Sequence, residues 1–283
     1  MSHVFILSQN KEKKVIKRLW DIGKRKIKIV KMKLNKILAL VAVLAILGMN
    51  QSKAQTDFSI HVGMASPLGS FADSRAQKGV VAWMDKTDRA GAGLGFEAGM
   101  KFRFAVPSIN GFGIIATADV FYNGANSDVK DWAQDFVDYY AIDENYDECR
   151  ITVPNYINIP VMIGANYEYG VANNVKIWAE FGLGMDFGIM TNNKYYWEVS
   201  NSELMSEKVF DNNVSFAYQL GAGVMLSDKF SLGVHYYALG SQKIQGEEFT
   251  ELITSQGSQT ADSKFTLRSI NPTIFTLRLG YHF

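Results

Sequence analysis

From residue 58 to residue 283 the chain alternates apolar side chains with polar or small ones, with period two, eight separate times. Phe58, Ile60, Val62 and Met64 stand against Ser59, His61 and Gly63 in the first run. The same alternation fills 94–106, 112–122, 157–169, 175–189, 214–226, 230–236 and 273–283. Successive side chains of a strand point to opposite faces, so each run reads as a strand with one apolar face.

The connections narrow the architecture. Residues 107–111, 171–174 and 227–229 are short; 68–90, 124–154, 191–213 and 241–269 are long and polar, and the two kinds alternate strictly. An up-and-down membrane barrel has this layout, with short periplasmic turns and long external loops. A soluble sandwich has no reason to sort loop lengths by end. A soluble lipocalin-type barrel would put its bulky apolar residues in the lumen, yet here the second face is rich in glycine and charge. A mean hydropathy of -0.05 argues against a bundle of membrane helices, but alternating strands average to neutral. The expected fold is therefore all-β: an eight-stranded antiparallel up-and-down transmembrane β-barrel.

A membrane strand needs about 9–11 residues, and the alternation runs further. Tyr195, Trp197 and Val199 prolong the fifth run, Ile151 and Val153 the fourth, Phe265 and Leu267 the eighth. Some strands should protrude beyond the bilayer. Phe102, Phe104, Phe112, Tyr167, Tyr169, Tyr281 and Phe283 fall near the short turns, where an aromatic girdle belongs. Pro160 lacks a ladder donor and marks either a bulge or a gate hinge.

The N-terminal segment reads as targeting. Ile37–Gly48 is a 12-residue apolar run, too short to span a bilayer and of signal-peptide length. Lys33 and Lys36 precede it, and Ser52-Lys53-Ala54 follows, which sets cleavage between Ala54 and Gln55. Met32 opens a complete signal peptide, 32–54. Residues 1–31, with ten basic and two acidic residues, read as a mis-assigned upstream start or a basic extension. Residues 1–54 hold 13 of the 29 basic and 2 of the 28 acidic side chains, leaving 16 against 26 in the 55–283 barrel domain, a net charge of -10. An acidic exported surface gives no reason to expect a nucleic-acid partner.

Parity also sets the inward face. It carries Glu97, Lys101, Arg103, Asp119, Glu168, Lys176, Glu180, Asp186 and Arg278, together with His61, His235 and His282. Four permanent cations face five carboxylates. Eight strands enclose a bore that side chains just fill, and charges in it must pair or be hydrated. Near-balance predicts a polar network that plugs the lumen, whereas a selective pore would show an excess of one sign. The histidines are expected in that network; no serine or aspartate is identifiable from sequence as an oriented partner for catalysis. One cysteine, Cys149, excludes an intramolecular disulfide and a cysteine-based metal site. No metal or cofactor is expected.

Loop 124–154 has a net charge of -6. Trp132, Phe136, Tyr139 and Tyr140 share one face if the segment is helical. Such a helix could dock a partner or cap the barrel mouth; otherwise the loop folds its aromatics onto the protruding strands. Its acidic spacing lacks an EF-hand pattern.

Gly-Leu-Gly-Phe-Glu-Ala-Gly-Met-Lys-Phe-Arg-Phe at 93–104, Tyr-Ile-Asn-Ile-Pro-Val at 156–161 and Leu-Arg-Leu-Gly-Tyr-His-Phe at 277–283 carry a family resemblance. Over residues 55–283 the chain resembles the PorT-like (OmpX/OmpA-like) outer-membrane β-barrel family. The resemblance implies the outer membrane of a Gram-negative bacterium, with lipid and lipopolysaccharide around the barrel. Tyr281 and Phe283 look like the signal such proteins present to the barrel-assembly machinery. Many members have no settled activity, so the family locates the protein better than it assigns a role. The expected function is a non-enzymatic envelope scaffold, or a barrel that binds an unknown protein ligand through its loops. The alternatives are a small porin-like channel and, less favoured, a secretion-machinery component or an outer-membrane enzyme.

Overall fold

A computed structural model describes residues 56–74, 89–139, 147–200 and 202–283, apart from the side chain of residue 268. The segments read as 1–31 and 32–54, the cleavage pair Ala54 and Gln55, and Tyr140 lie outside these residues.

The strands in chain order are β1 (Thr56–Pro67), β2 (Ala92–Ala105) and β3 (Phe112–Ala125), followed by helix α1 (Ser127–Asp138). Then come β4 (Glu148–Thr152), β5 (Tyr156–Ala172), β6 (Val175–Met190), β7 (Asn193–Val199), β8 (Ser202–Phe210) and β9 (Asn213–Leu226). The last four are β10 (Phe230–Ala238), β11 (Gln242–Thr254), β12 (Gly257–Ile270) and β13 (Thr273–His282). Eight of them close into an antiparallel barrel in the order β1-β13-β10-β9-β6-β5-β3-β2. These are the eight alternating runs. Ile60 pairs with Tyr281 on one side and Met100 on the other, so β1 closes the ring.

The apolar face of each barrel strand points outward. Ile163 (65% exposed), Phe216 (63%) and Leu279 (62%) belong to a belt of large apolar side chains around the wall. A belt this extensive is unstable in water and calls for an apolar solvent. At the short-turn end, Phe102, Phe58, Phe283, Tyr281 and Phe230 form a continuous aromatic chain across four strands, with ring centroids 4.8–5.5 Å apart. The turns here use left-handed backbone at Asn174 (φ 65°) and Asp228 (φ 55°), residue types that tolerate it.

At the other end the structure departs from the expected loops. Segments 191–213 and 241–269 are mostly strand. β12-β11-β8-β7-β4 form a second, five-stranded sheet. Its order repeats that of barrel strands β13-β10-β9-β6-β5, to which each strand is directly joined. The wall is thus prolonged over five of its eight strands, across breaks such as Thr191-Asn192 and Asn271-Pro272. Tyr195, Trp197, Phe265 and Leu267 lie in this separate ladder rather than in longer barrel strands. The breaks are bridged by backbone bonds, Thr191 N–H to Asn155 O (2.9 Å) and Leu239 N–H to Pro272 O (2.9 Å).

On the β1–β3 side the ends are covered differently. β1 leads into a 3-10 turn at Gly69–Phe71, and β3 leads into α1. Asn126 caps the helix by accepting from Val129 N–H (3.0 Å), and its amide donates to Ala72 O (3.0 Å), tying helix to turn. Pro160 produces no bulge. The β3–β5 ladder omits the pairs facing Ile159 and Pro160 and resumes in the same register.

Candidate functional site

Among the described residues the lumen gathers buried groups of both charges, and its inward side chains lie on two levels. The level nearer the short turns is polar. Arg278 on β13 grips Glu97 on β2 with two bonds, Nε–Oε1 at 2.6 Å and Nη2–Oε2 at 3.2 Å. Its Nη2 also donates to Tyr237 Oη (2.5 Å) and lies 3.6 Å from Asp119 Oδ1. Asp119 accepts from Tyr237 Oη (3.0 Å) and meets His61 Nε2 at 2.6 Å. Across the bore, Glu180 on β6 binds Lys101 Nζ (3.0 Å) and His235 Nε2 (2.9 Å). Arg278 Nη1 lies 3.4 Å from His235 Nε2 and so joins the two halves. Every carboxylate and cation named here is buried. Bidentate, mutually satisfied bonding of this kind is what makes buried charge tolerable.

Glycines on the inward face make the room. A Cβ at Gly99 would collide with Asp119 Oδ1 and stand 2.5 Å from His61 Nε2; one at Gly233 would collide with the Trp178 ring. The Lys101 ammonium lies 4.9 Å over that ring.

Two expected members sit elsewhere. Arg103 and Glu168 pair with each other at 2.9 Å, with Arg103 also bonded to Asn166 Oδ1 (2.7 Å) and Gly111 O (3.0 Å), so they close the short-turn end. Lys176 reaches out of the bore to the turn residue Asp228 (2.6 Å), with both side chains well exposed. Asp186 stands near the loop end. Its Oδ2 accepts from Gln242 Nε2 (2.7 Å), and its Oδ1 has no hydrogen-bond partner among the described residues.

Apart from Asp186, Gln242 and Asn158, the level nearer the loops is apolar. Phe121, Tyr156, Met162, Tyr237 and Ile274 from the barrel meet Phe71, Ala90, Phe210, Ile244 and Ile270 from the turn and the upper sheet. Phe121 and Tyr237 pack edge to face at 4.8 Å. Tyr237 belongs to both levels, its ring above and its hydroxyl below. Tyr156 Oη donates to Ala90 O (2.5 Å), pinning the turn over the bore.

Sequence reasoning singled out charged groups and passed over neutral ones. Tyr237, Gln219, Asn166 and Trp178 share the inward parity and were findable on that ground. Gln242 was not, because it lies in a segment read as loop. No partner of His282 is identifiable from sequence; in the structure its Nδ1 meets Asp57 Oδ2 (2.9 Å) and its Nε2 meets Ser231 Oγ (3.0 Å).

Helix α1 turns its aromatics inward. Phe136 lies 6.1–6.4 Å from the Trp197 and Tyr195 rings, and Trp132 lies 5.4 Å from Phe136. Val129 and Tyr195 share a small core with Ala125. Of the two readings of this loop, the one in which aromatics fold onto the protruding strands describes Trp132 and Phe136; Tyr139 is half-exposed. Burial in the sheet pushes the Cys149 thiol up, which makes it less nucleophilic.

The profile of the outer membrane protein beta-barrel domain matches residues 38–283. Among solved structures, the chain is similar to a major outer membrane protein from Thermus thermophilus, at 11% identity and TM-score 0.42, over 81% of this chain and all of that one. It is similar to Neisserial surface protein A at 10% identity and TM-score 0.36, over 82% of this chain and 98% of that one. It is also similar to Ail, the attachment invasion locus protein of Yersinia pestis, at 13% identity and TM-score 0.35, over 81% and 99%. No curated protein matches the sequence significantly.

Proposed function

Because this chain belongs to the outer membrane protein beta-barrel domain family, we propose that it is a closed envelope scaffold of a Gram-negative outer membrane. Its bore is structural, and it holds the five-stranded extension outside the cell. The observation that carries this reading is the double filling of the lumen: a paired polar network beneath an apolar plug, with Tyr237 bolting one to the other. In a bore of eight strands such filling leaves no aqueous path.

The finer placement is also ours. Residues 32–54 act as the cleaved signal peptide, with 1–31 upstream of it, and the PorT-like branch is the proposed subgroup. The short turns face the periplasm, which sets the aromatic chain at the inner interface among lipid. There Tyr281 and Phe283 serve the assembly machinery. The upper sheet then faces outward beside lipopolysaccharide and is the surface for a protein ligand, since α1 turns Trp132 and Phe136 toward its own strands.

The test is single-channel conductance of the exported protein in planar bilayers, after a heat-modifiable gel shift has shown it folded. A silent membrane is expected, for the wild type and for Glu180→Ala alike, the latter with lowered stability. Reproducible conductance steps from the wild type would replace the scaffold with a small channel.

A further inference from the structure

The three lumen histidines differ in what their rings hold. His61 and His235 each engage a carboxylate through Nε2. His282 is bonded on both nitrogens, by a carboxylate at Nδ1 and a serine hydroxyl at Nε2. That polarity matters. A carboxylate at Nδ1 fixes the tautomer with its proton there, which leaves the Nε2 lone pair to take the proton from Ser231 Oγ.

The three residues come from β1, β13 and β10, which are hydrogen-bonded neighbours, so the ladders hold them in place. Burial is graded in the useful direction. His282 is buried, Asp57 is partly exposed and Ser231 is half-buried, so the nucleophile is more open than its base. Ser231 pairs with Gly280, and a Cβ placed there would run into Ser231 Oγ and lie 3.8 Å from His282 Nε2, so only a glycine at this position lets the hydroxyl sit beside the imidazole.

We propose that Ser231, His282 and Asp57 form an acyl-transfer site at the short-turn mouth, and that its substrates are acyl esters. Ser231 Oγ attacks the ester carbonyl carbon while its proton passes to His282 Nε2. The carbon–oxygen bond to the leaving alcohol then breaks, and the imidazolium returns the proton to that oxygen. This leaves an acyl-serine and a free alcohol. Water, deprotonated by the same nitrogen, attacks the acyl-serine, releases the carboxylic acid and restores the hydroxyl. Asp57 acts through His282 as a positioning residue. The nearby backbone N–H groups of His282 and Phe283 are taken, donating to Lys229 O and Phe58 O. A missing oxyanion donor costs about 10²–10³ in rate, on acylation and deacylation alike, so the first turnover of an activated ester is the step to read.

The experiment treats folded, exported protein with p-nitrophenyl acetate and, separately, with a fluorophosphonate probe. A burst of about one equivalent of p-nitrophenolate and phosphonylation mapped to Ser231 are expected. Ser231→Ala should abolish both while keeping the heat-modifiable shift. Asp57→Asn should slow acylation at least tenfold by freeing the wrong tautomer, with Asp57→Glu restoring part of the rate. Gly280→Ala should displace the Ser231 hydroxyl from His282 and slow acylation. Folded wild type that reacts no faster than folded Ser231→Ala would overturn the site. So would equal rates for Asp57→Asn and wild type. Neither result depends on whether the lumen conducts.

Discussion

Toward the short turns, the inward side chains are held by directional bonds among Arg278, Glu97, Asp119, Lys101, Glu180 and two histidines. Toward the loops they are held by shape, with Phe121, Tyr156, Met162 and Ile274 packed with Phe71 and residues of the second sheet. The two levels fail differently. A polar network depends on every partner, because a lone buried charge is worse than none. An apolar plug depends on volume, and loses stability by transfer and cavity terms when a ring is removed. A charged level therefore fixes which strands face which, while an apolar level mainly excludes water.

The largest expected effect is in the polar level. Arg278→Ala leaves Glu97 and Asp119 without their guanidinium and should cost about 4 kcal/mol, read as a lower urea midpoint in the heat-modifiable assay. Restoring balance sharpens the point: adding Glu97→Gln to that variant should recover part of the loss. If the single variant costs no more than a surface change, the two levels do not differ in this way. In the apolar level, Phe121→Ala should cost about 3 kcal/mol, and Phe121→Leu much less. The contrast is in the tolerance of conservative change, since even lysine, which keeps the charge, loses the two-bond grip of Arg278 on Glu97.

A smaller effect belongs to the outer sheet. Phe136→Ala removes ring contacts with Tyr195 and Trp197 and should cost about 1 kcal/mol, seen as faster proteolysis of α1 with the barrel intact. Burial, with a lesser push from the Glu248 charge, raises the Tyr195 phenol well above its ordinary value. A phenol raised in the folded state contributes stability that is fully present below its ordinary value near 10 and is lost as pH rises from there through its higher folded-state value. Alkaline titration followed by tyrosinate absorbance should show Tyr195 ionising only as the sheet opens. The smallest effect is expected at the ion pair of exposed Lys194 with the mostly covered Glu207, 3.3 Å apart. Lys194→Ala should change stability by less than about 1 kcal/mol, screened further by salt.

The eight barrel strands were legible because each has one face toward an apolar surround and one toward the bore. That imposes period two over seven or more residues in each run. The upper sheet was legible only in fragments. β11 and β12 carry polar residues on both faces, as in Ser258-Gln259-Thr260-Ala261-Asp262-Ser263-Lys264, so nothing in their hydropathy separates a strand from a loop. Parity likewise placed Glu97, Asp119, Glu180 and Arg278 in the bore, yet it misjudged Lys176, whose side chain leaves through the short-turn end.

What the sequence determined by itself was which residues face inward, because alternation is a local property of the extended chain. What only the tertiary structure decided was the height at which they meet. In a closed barrel the strands tilt, and the ladder staggers around the ring. Partners from different strands are therefore fixed by register and closure, not by position along any one strand. That stagger brings Arg278 to Glu97, sets Tyr237 between the two levels, and carries Asp57, Ser231 and His282 from three strands to one point.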